Sequence, residues 1–389
     1  MAEAGEAYWN PAEMGEDRIA AFDEMRSKCP VAYSDRLGWS VFRYKDVVAV
    51  AADPATFSNV RVNHGESAPA AMRGIPLEFD PPEHARYRRL LMPLFSAGRM
   101  KAFAPRLRAL AEKDLKALTT GDPVAVIASF ADPFPVRVIC ELLGWPHDDW
   151  RFIKRMSEDV RIAMAERDAN RMAAAHRAWA DYILPVIATR RAKPADDATS
   201  WLLDQQLDGQ PLSETEMVSI LRLLLVAGHG TTTASLGIII AYLAANPDRQ
   251  EMLRSNPDAI PSAIEEMLRW SSPLAGMQRT ATSDTEIDGN AVTKGDRVAL
   301  MFAAANRDPE VFPDADQCVF GRSPNRHLVF GSGIHSCLGS PLARLELKIV
   351  LTELLAASRR FELAGTVPAV DPASWPTNDL QDYSIIVTR

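Results

Sequence analysis

Long apolar runs, clustered cysteines and an excess of positive charge are all missing from this chain of 389 residues. No run of about eighteen apolar residues occurs, the length a helix needs to cross a bilayer. Residues 1–18 are partly acidic and have no apolar core, so neither a signal peptide nor an anchor is expected there. Four cysteines lie far apart without paired spacings, which points to a reducing compartment rather than a disulfide framework. With 51 acidic against 43 basic residues, the net charge is −8, unlike the basic surface of a nucleic-acid binder. Internal repeats, low-complexity segments and a glycine-rich dinucleotide or flavin motif are also absent. The expectation is a cytoplasmic protein with no membrane and no nucleic acid among its partners.

What is present is ample apolar material, 47% of the residues, dominated by helix formers. The reading is a mainly α chain with a smaller β-rich part, one domain over 1–389 with a flexible tail at about 1–15. A helix is predicted from Arg18 to Lys28, stopped by Cys29-Pro30. Two strands follow, Val31 to Tyr33 and Trp39 to Tyr44, around the turn Asp35 to Gly38. A helix from Lys45 to Ala52 precedes a long irregular stretch, 63–78, of the kind that often carries function. Pro81-Pro82 sets the first turn of another helix, which places His84 and Arg88 on one face. From Met100 to Trp201 the pattern is helical, with breaks at Gly121-Asp122-Pro123, Gly144-Trp145-Pro146 and Pro194; 148–172 is expected to be a mobile lid.

A capping box, Ser213 with Glu216, opens a helix that runs to about Ala245, roughly 50 Å at 1.5 Å per residue. Its middle, Ala227-Gly228-His229-Gly230-Thr231-Thr232-Thr233, joins two glycines to three β-branched residues. A local widening is expected there, making room for a ligand. From Leu274 to Phe302 short strands alternate with turns, Asp288-Gly289 and Lys294-Gly295 being hairpin signals. A last turn and strand close the chain over Gln381 to Arg389.

The most informative stretch is Phe330-Gly331-Ser332-Gly333-Ile334-His335-Ser336-Cys337-Leu338-Gly339, ahead of the helical run Leu342 to Glu346. A cysteine in a glycine-rich loop feeding a helix N-terminus meets unpaired amides and the positive end of the helix dipole. Both favour a thiolate: a nucleophile, a redox sensor or a metal ligand.

Phe330, Gly333, His335, Cys337 and Gly339 resemble, at every fixed position, the heme-ligand loop of the cytochrome P450 family. That resemblance implies heme b (iron protoporphyrin IX), with Cys337 as axial ligand of the heme iron. It implies that His84, Arg88, Arg279 and His335 hold the propionates, and that Phe330, Gly331, Gly339 and Ala227 line the cofactor. Thr231 matches the family's oxygen-activation alcohol, with Thr232 and His229 as weaker catalytic candidates. Gly230 stands where the family has an acid, which leaves the proton source open. Glu266 and Arg269 match the Glu-x-x-Arg signature and Arg322 its third member, a structural trio that locks the Cys337 loop; Cys318 replaces a common Phe there. Val226, Leu274 and Met277 are expected in the substrate pocket.

The implied fold holds heme between the long helix and the cysteine loop. The implied reaction inserts one oxygen atom of O2 into a hydrophobic small molecule, as a hydroxylation, dealkylation or epoxidation. Electrons would come from a separate ferredoxin and ferredoxin reductase, with Arg86 and Arg89 as candidate docking residues. A peroxide-using heme-thiolate peroxygenase and a non-catalytic heme sensor are the alternatives.

Overall fold

The computed structural model describes residues 8–10, 18–60, 73–166, 168–371 and 374–389. Most of the expected N-terminal tail and of the irregular stretch before Gly74 lies outside the described residues. α1 (Arg18–Lys28) leads into the hairpin of β1 (Val31–Ser34) and β2 (Gly38–Val41), then α2 (Tyr44–Ala52) and β3 (Phe57–Ser58). α3 (Glu83–Leu91), α4 (Ala97–Asp114), β4 (Val124–Ala125), α5 (Pro133–Leu143), α6 (Trp150–Glu166), α7 (Ala169–Ala192) and α8 (Ala198–Leu203) follow. A small hairpin, β5 (Gln206–Leu207) and β6 (Gln210–Pro211), precedes α9 (Glu214–Ala245), α10 (Pro247–Ser255) and α11 (Ile260–Ser271). After β7 (Met277–Ala281), β8 (Thr285–Ile287), β9 (Asn290–Val292) and β10 (Arg297–Leu300) come α12 (Phe302–Ala305), α13 (Ser340–Ala357), β11 (Arg360–Leu363) and β12 (Ser384–Thr388).

The main sheet runs β1-β2-β10-β7-β3. β2 and β10 are parallel, with Trp39 opposite Val298, and the remaining pairs are antiparallel. This brings the N-terminal hairpin beside strands some 260 residues later, so sheet and helices close around one another. The helices share a core built on Phe130, Phe134, Trp179, Leu225 and Leu354, all fully or almost fully buried. Burying apolar area at about 25 cal/mol per Å² is the main stabilising term for such a core.

α9 begins as expected: the Ser213 hydroxyl accepts from the Glu216 N–H and the Glu216 carboxylate from the Ser213 N–H. The expected widening at its middle is not there, since α-helix continues unbroken through 227–233. Packing overrides local propensity: α5 lies along α9, and Ile139 approaches so closely that a Cβ on Gly228 would sit 3.1 Å from its Cδ1. The π-helical turn lies instead at Ile127–Ala131, where the Thr233 hydroxyl donates to the Ala131 carbonyl at 2.9 Å. Although α9 is long and apolar enough to cross a membrane, much of it is buried inside the fold.

Candidate functional site

The cysteine loop is shaped by its own amides. Gly331 N–H donates to Leu328 O at 2.9 Å, Ser336 N–H to Gly333 O at 3.2 Å and Cys337 N–H to Phe330 O at 2.7 Å. Gly331 and Gly333 hold φ of 71° and 70°, which a side chain would strain. At Gly333 a Cβ would also collide with the Ala51 carbonyl, so α2 seats directly on the loop. Protein atoms surround Cys337 on several sides, yet among the described residues its side chain stays accessible. Burial raises the thiol pKa above its ordinary value, only partly offset by the amides of Gly339 and Ser340 and by the cations Arg88 and Arg344. A cation on the sulfur would reverse that balance and leave a thiolate held by donors already in place. Among the described residues no three His, Cys, Asp or Glu side chains converge. A metal at Cys337 would therefore bring most of its other ligands with it, as a porphyrin does.

Basic groups gather beside the loop. His84 is buried on α3, its ring centroid 4.4 Å from that of His335. Arg88, one turn on, donates to the Ser336 hydroxyl at 3.1 Å. Arg279 on β7 is 4% exposed and donates to Asn59 Oδ1 at 3.0 Å. Among the described residues neither buried ring nitrogen of His335 has a hydrogen-bond partner. Burial, then Arg279, His84 and Arg88, depress the His335 pKa to about 3, and burial lowers that of Arg279 to about 10. Asp80 lies near His84 and Arg279, but it already accepts from the Ser58 hydroxyl and the Asn59 N–H. Such a cluster calls for anionic acceptors. The two carboxylates of heme b match that need, so the residues present fit the cofactor.

On α9, Ala227 is exposed, and Val226, Gly230 and Thr231 are half-buried, on one open face. His229 and Thr232 are not on it. His229 is buried and its Nδ1–H donates to the Leu225 carbonyl at 2.7 Å; burial lowers its pKa and keeps it neutral. Thr232 is 5% exposed and turned toward the Gly228 carbonyl, 3.4 Å away. These placements correct the expectation of a catalytic part for either: helical rotation carries both away from the cleft. Leu274 and Met277 are half-buried where β7 begins, and Phe330 lies partly buried against the helical core.

Glu266, Arg269 and Arg322 come together in one buried cluster. Glu266 and Arg269 are fully buried, joined at 2.8 and 2.9 Å, and Arg322 Nε reaches the same carboxylate at 3.0 Å. Val319 N–H and Asn325 Nδ2 add two more donors to it, while Arg269 caps the carbonyls of Asn306, Ala315 and Gln317. Sequence reasoning missed a second ion cluster: Arg344 binds Glu265 through two hydrogen bonds of 2.8 and 2.9 Å, His327 adds a third, and Arg344 lies 4.2 Å over the Phe330 ring. The three residues come from separate parts of the chain, and no local pattern marks them.

Comparison with known proteins agrees with this arrangement. The family model described as Cytochrome P450 matches residues 146–373. Cytochrome P450 109 of Bacillus spizizenii is 36% identical over 90% of this chain and 87% of its own length. The mycinamicin IV hydroxylase/epoxidase of Micromonospora griseorubida is 39% identical over 82% of this chain and 81% of its own. Among solved structures, the P450 for C–S bond formation in chuangxinmycin biosynthesis superposes with a TM-score of 0.90, 31% identity, and coverage of 100% and 99%. A Bacillus megaterium P450 in complex with testosterone gives 0.88 at 29% identity, covering 97% of this chain and all of its own.

The chain belongs to the cytochrome P450 family, of the bacterial type. It is a heme b monooxygenase that inserts one oxygen atom of O2 into a hydrophobic small organic molecule, with electrons from redox partners.

Proposed function

We propose that Cys337 is the axial ligand of the heme iron and that His84, Arg88, Arg279 and His335 hold the two propionates. The buried, unpartnered ring of His335 among three other basic groups carries this reading, since it leaves an acceptor to be supplied from outside the chain. When bound, thiolate-ligated heme supplies the activation of O2. Around it, Val226, Leu274 and Met277 form an apolar wall that excludes water and admits a hydrophobic substrate. Thr231 holds a proton at its hydroxyl on the open face of α9. Glu266, Arg269 and Arg322 keep the segment ahead of the cysteine loop rigid, so that the sulfur stays in place.

The electron donor in this reading is a ferredoxin with its reductase. Arg86 is not free to meet it, because it pairs with Asp208; Arg89 stays exposed. A groove of about 590 Å³ between α4, α11 and α13 is lined by Met100, Ile264 and Leu345 together with Lys101 and Lys348, while Glu265 and Arg344 in it pair with each other. That chemistry suits an acidic partner surface. The reading places the whole chain in one heme domain working in the cytoplasm.

The test is the visible spectrum of the reduced protein under carbon monoxide. A strongly red-shifted Soret band in the parent protein, lost in Cys337→Ser, is the expected result. A band typical of histidine-ligated heme in the parent protein would overturn the assignment.

A further inference from the structure

Two neighbouring carboxylates on α11 divide the approach to the cysteine loop between them. Glu266 holds Val319, Arg322 and Asn325. Glu265 holds the two residues that come next, His327 ahead of the loop and Arg344 behind it on α13. Its Oε2 accepts from His327 Nε2 at 3.0 Å, and its two oxygens accept from Arg344 Nε at 2.8 Å and Nη2 at 2.9 Å. Burial would raise the Glu265 pKa, but His327 and Arg344 outweigh it and hold the carboxylate down at about 2. The pair with Arg344 therefore stays charged at every physiological pH.

A two-pronged bond of this kind fixes the plane of a guanidinium as well as its position. The guanidinium carbon of Arg344 lies 4.2 Å from the centre of the Phe330 ring. Phe330 stands seven residues before Cys337 and Arg344 seven after it, so this contact closes the loop across its base. Between them lie Gly331, Gly333 and Gly339, whose freedom leaves the loop in need of a restraint from outside. Inside the closure, the Phe330 carbonyl accepts from the Cys337 N–H at 2.7 Å. On the other side, Arg344 sits on the second turn of α13, which starts at Ser340. A displacement of Arg344 would thus reach Cys337 by two routes, through Phe330 and through the first turn of α13. Burial raises the Cys337 pKa, and Arg344 is among the groups that oppose the rise, in agreement with its place at the loop.

We propose that Arg344 is a positioning residue for Cys337: seated by Glu265 and His327, its guanidinium clasps the Phe330 ring, closes the loop across its base and fixes where the sulfur stands. Glu266 and its partners keep the preceding segment rigid, and Arg344 carries that rigidity from His327 onward to the ligand itself. The inference rests on Cys337 as the axial ligand of the heme iron and adds the residue that holds it in register.

The test compares the parent protein with Arg344→Gln, Arg344→Lys, Glu265→Gln and Arg108→Gln. The last breaks a different ion pair of α13, that of Glu353 with Arg108 of α4, and serves as the control for loss of stability alone. In the heme-free protein, amide hydrogen exchange read by mass spectrometry should speed up over 330–338 by roughly two- to fivefold in Arg344→Gln. Arg344→Lys should do nearly the same, since an ammonium keeps the charge but cannot fork and stack, and Glu265→Gln should follow in the same direction. Arg108→Gln should leave 330–338 unchanged. In the loaded protein, Arg344→Gln should move part of the red-shifted carbon monoxide band to the position of a protonated or displaced thiolate. It should also make the ferric–ferrous midpoint potential more negative, because a cation beside the loop favours the form with one more electron; Arg344→Lys should fall between it and the parent.

Unchanged exchange over 330–338 in both Arg344 variants would overturn the proposal, as would equal acceleration in Arg108→Gln or an unaltered band and potential in Arg344→Gln. A parent protein without the red-shifted band would count against the Cys337 assignment instead, and the exchange arm would still judge Arg344.

Discussion

His335 shows how one residue reports the state of the site. Its folded pKa, about 3, lies below the ordinary 6.5, so the unfolded chain binds the proton more readily than the folded one. The stability this contributes is fully present above about pH 6.5 and is lost as the pH falls toward 3. The urea midpoint of the heme-free protein should therefore drop across that window. His335→Gln should flatten the part of the slope that belongs to this ring, and heme should weaken it by giving the imidazole an acceptor. Thr231 makes a separate prediction: Thr231→Ala should keep the carbon monoxide band and substrate binding while diverting reducing equivalents into hydrogen peroxide, read as product per O2.

At the scale of elements, the joint between α11 and the segment 315–325 depends on one carboxylate. Glu266 is fully buried and receives Arg269, Arg322, Val319 N–H and Asn325. Burial alone would raise its pKa, but these donors outweigh that and hold it below the ordinary range. Glu266→Ala would strand two guanidinium groups, at a cost of about 3–5 kcal/mol, and loosen the approach to the cysteine loop. Equilibrium unfolding should register the loss together with weaker heme retention; a change under about 1 kcal/mol would mean the trio behaves as a surface pair. At the far end of α9, Ser213→Ala removes one half of a capping box and should cost about 1 kcal/mol. Thermal unfolding measures it, with the red-shifted band unchanged.

Taken over the whole molecule, legibility in the sequence followed the range of the interactions. The helix at Arg18–Lys28, the hairpin around Asp35–Gly38, the Asp288-Gly289 turn and the start of α9 rest on caps, turns and periodicity within a few residues, and all lie where expected. The continuous middle of α9 did not, because Ile139 of α5 fills the groove that Gly228 leaves. Nor did the pairing of Arg86 with Asp208 or the Arg344-Glu265-His327 cluster, each joining segments about 60 to 120 residues apart in number. At the candidate site the motif residues were legible as types at fixed spacings, and helical rotation sets His229 and Thr232 on other faces than Thr231, whereas how deeply those two are buried arises from packing.

The basic cluster beside the cysteine loop also bears on how the protein is made in the cell. His84, Arg88, Arg279 and His335 are assembled by three separate parts of the chain, α3, β7 and the loop itself, and burial together with the arginine charges keeps the His335 ring neutral until an anion arrives. A newly synthesised chain would thus reach a compact but electrostatically unfinished state and wait there. Cofactor supply then acts as a checkpoint on accumulation: when heme biosynthesis is limiting, proteases should clear the waiting chains, and supplementing a heme precursor should raise the amount of protein recovered at constant messenger level.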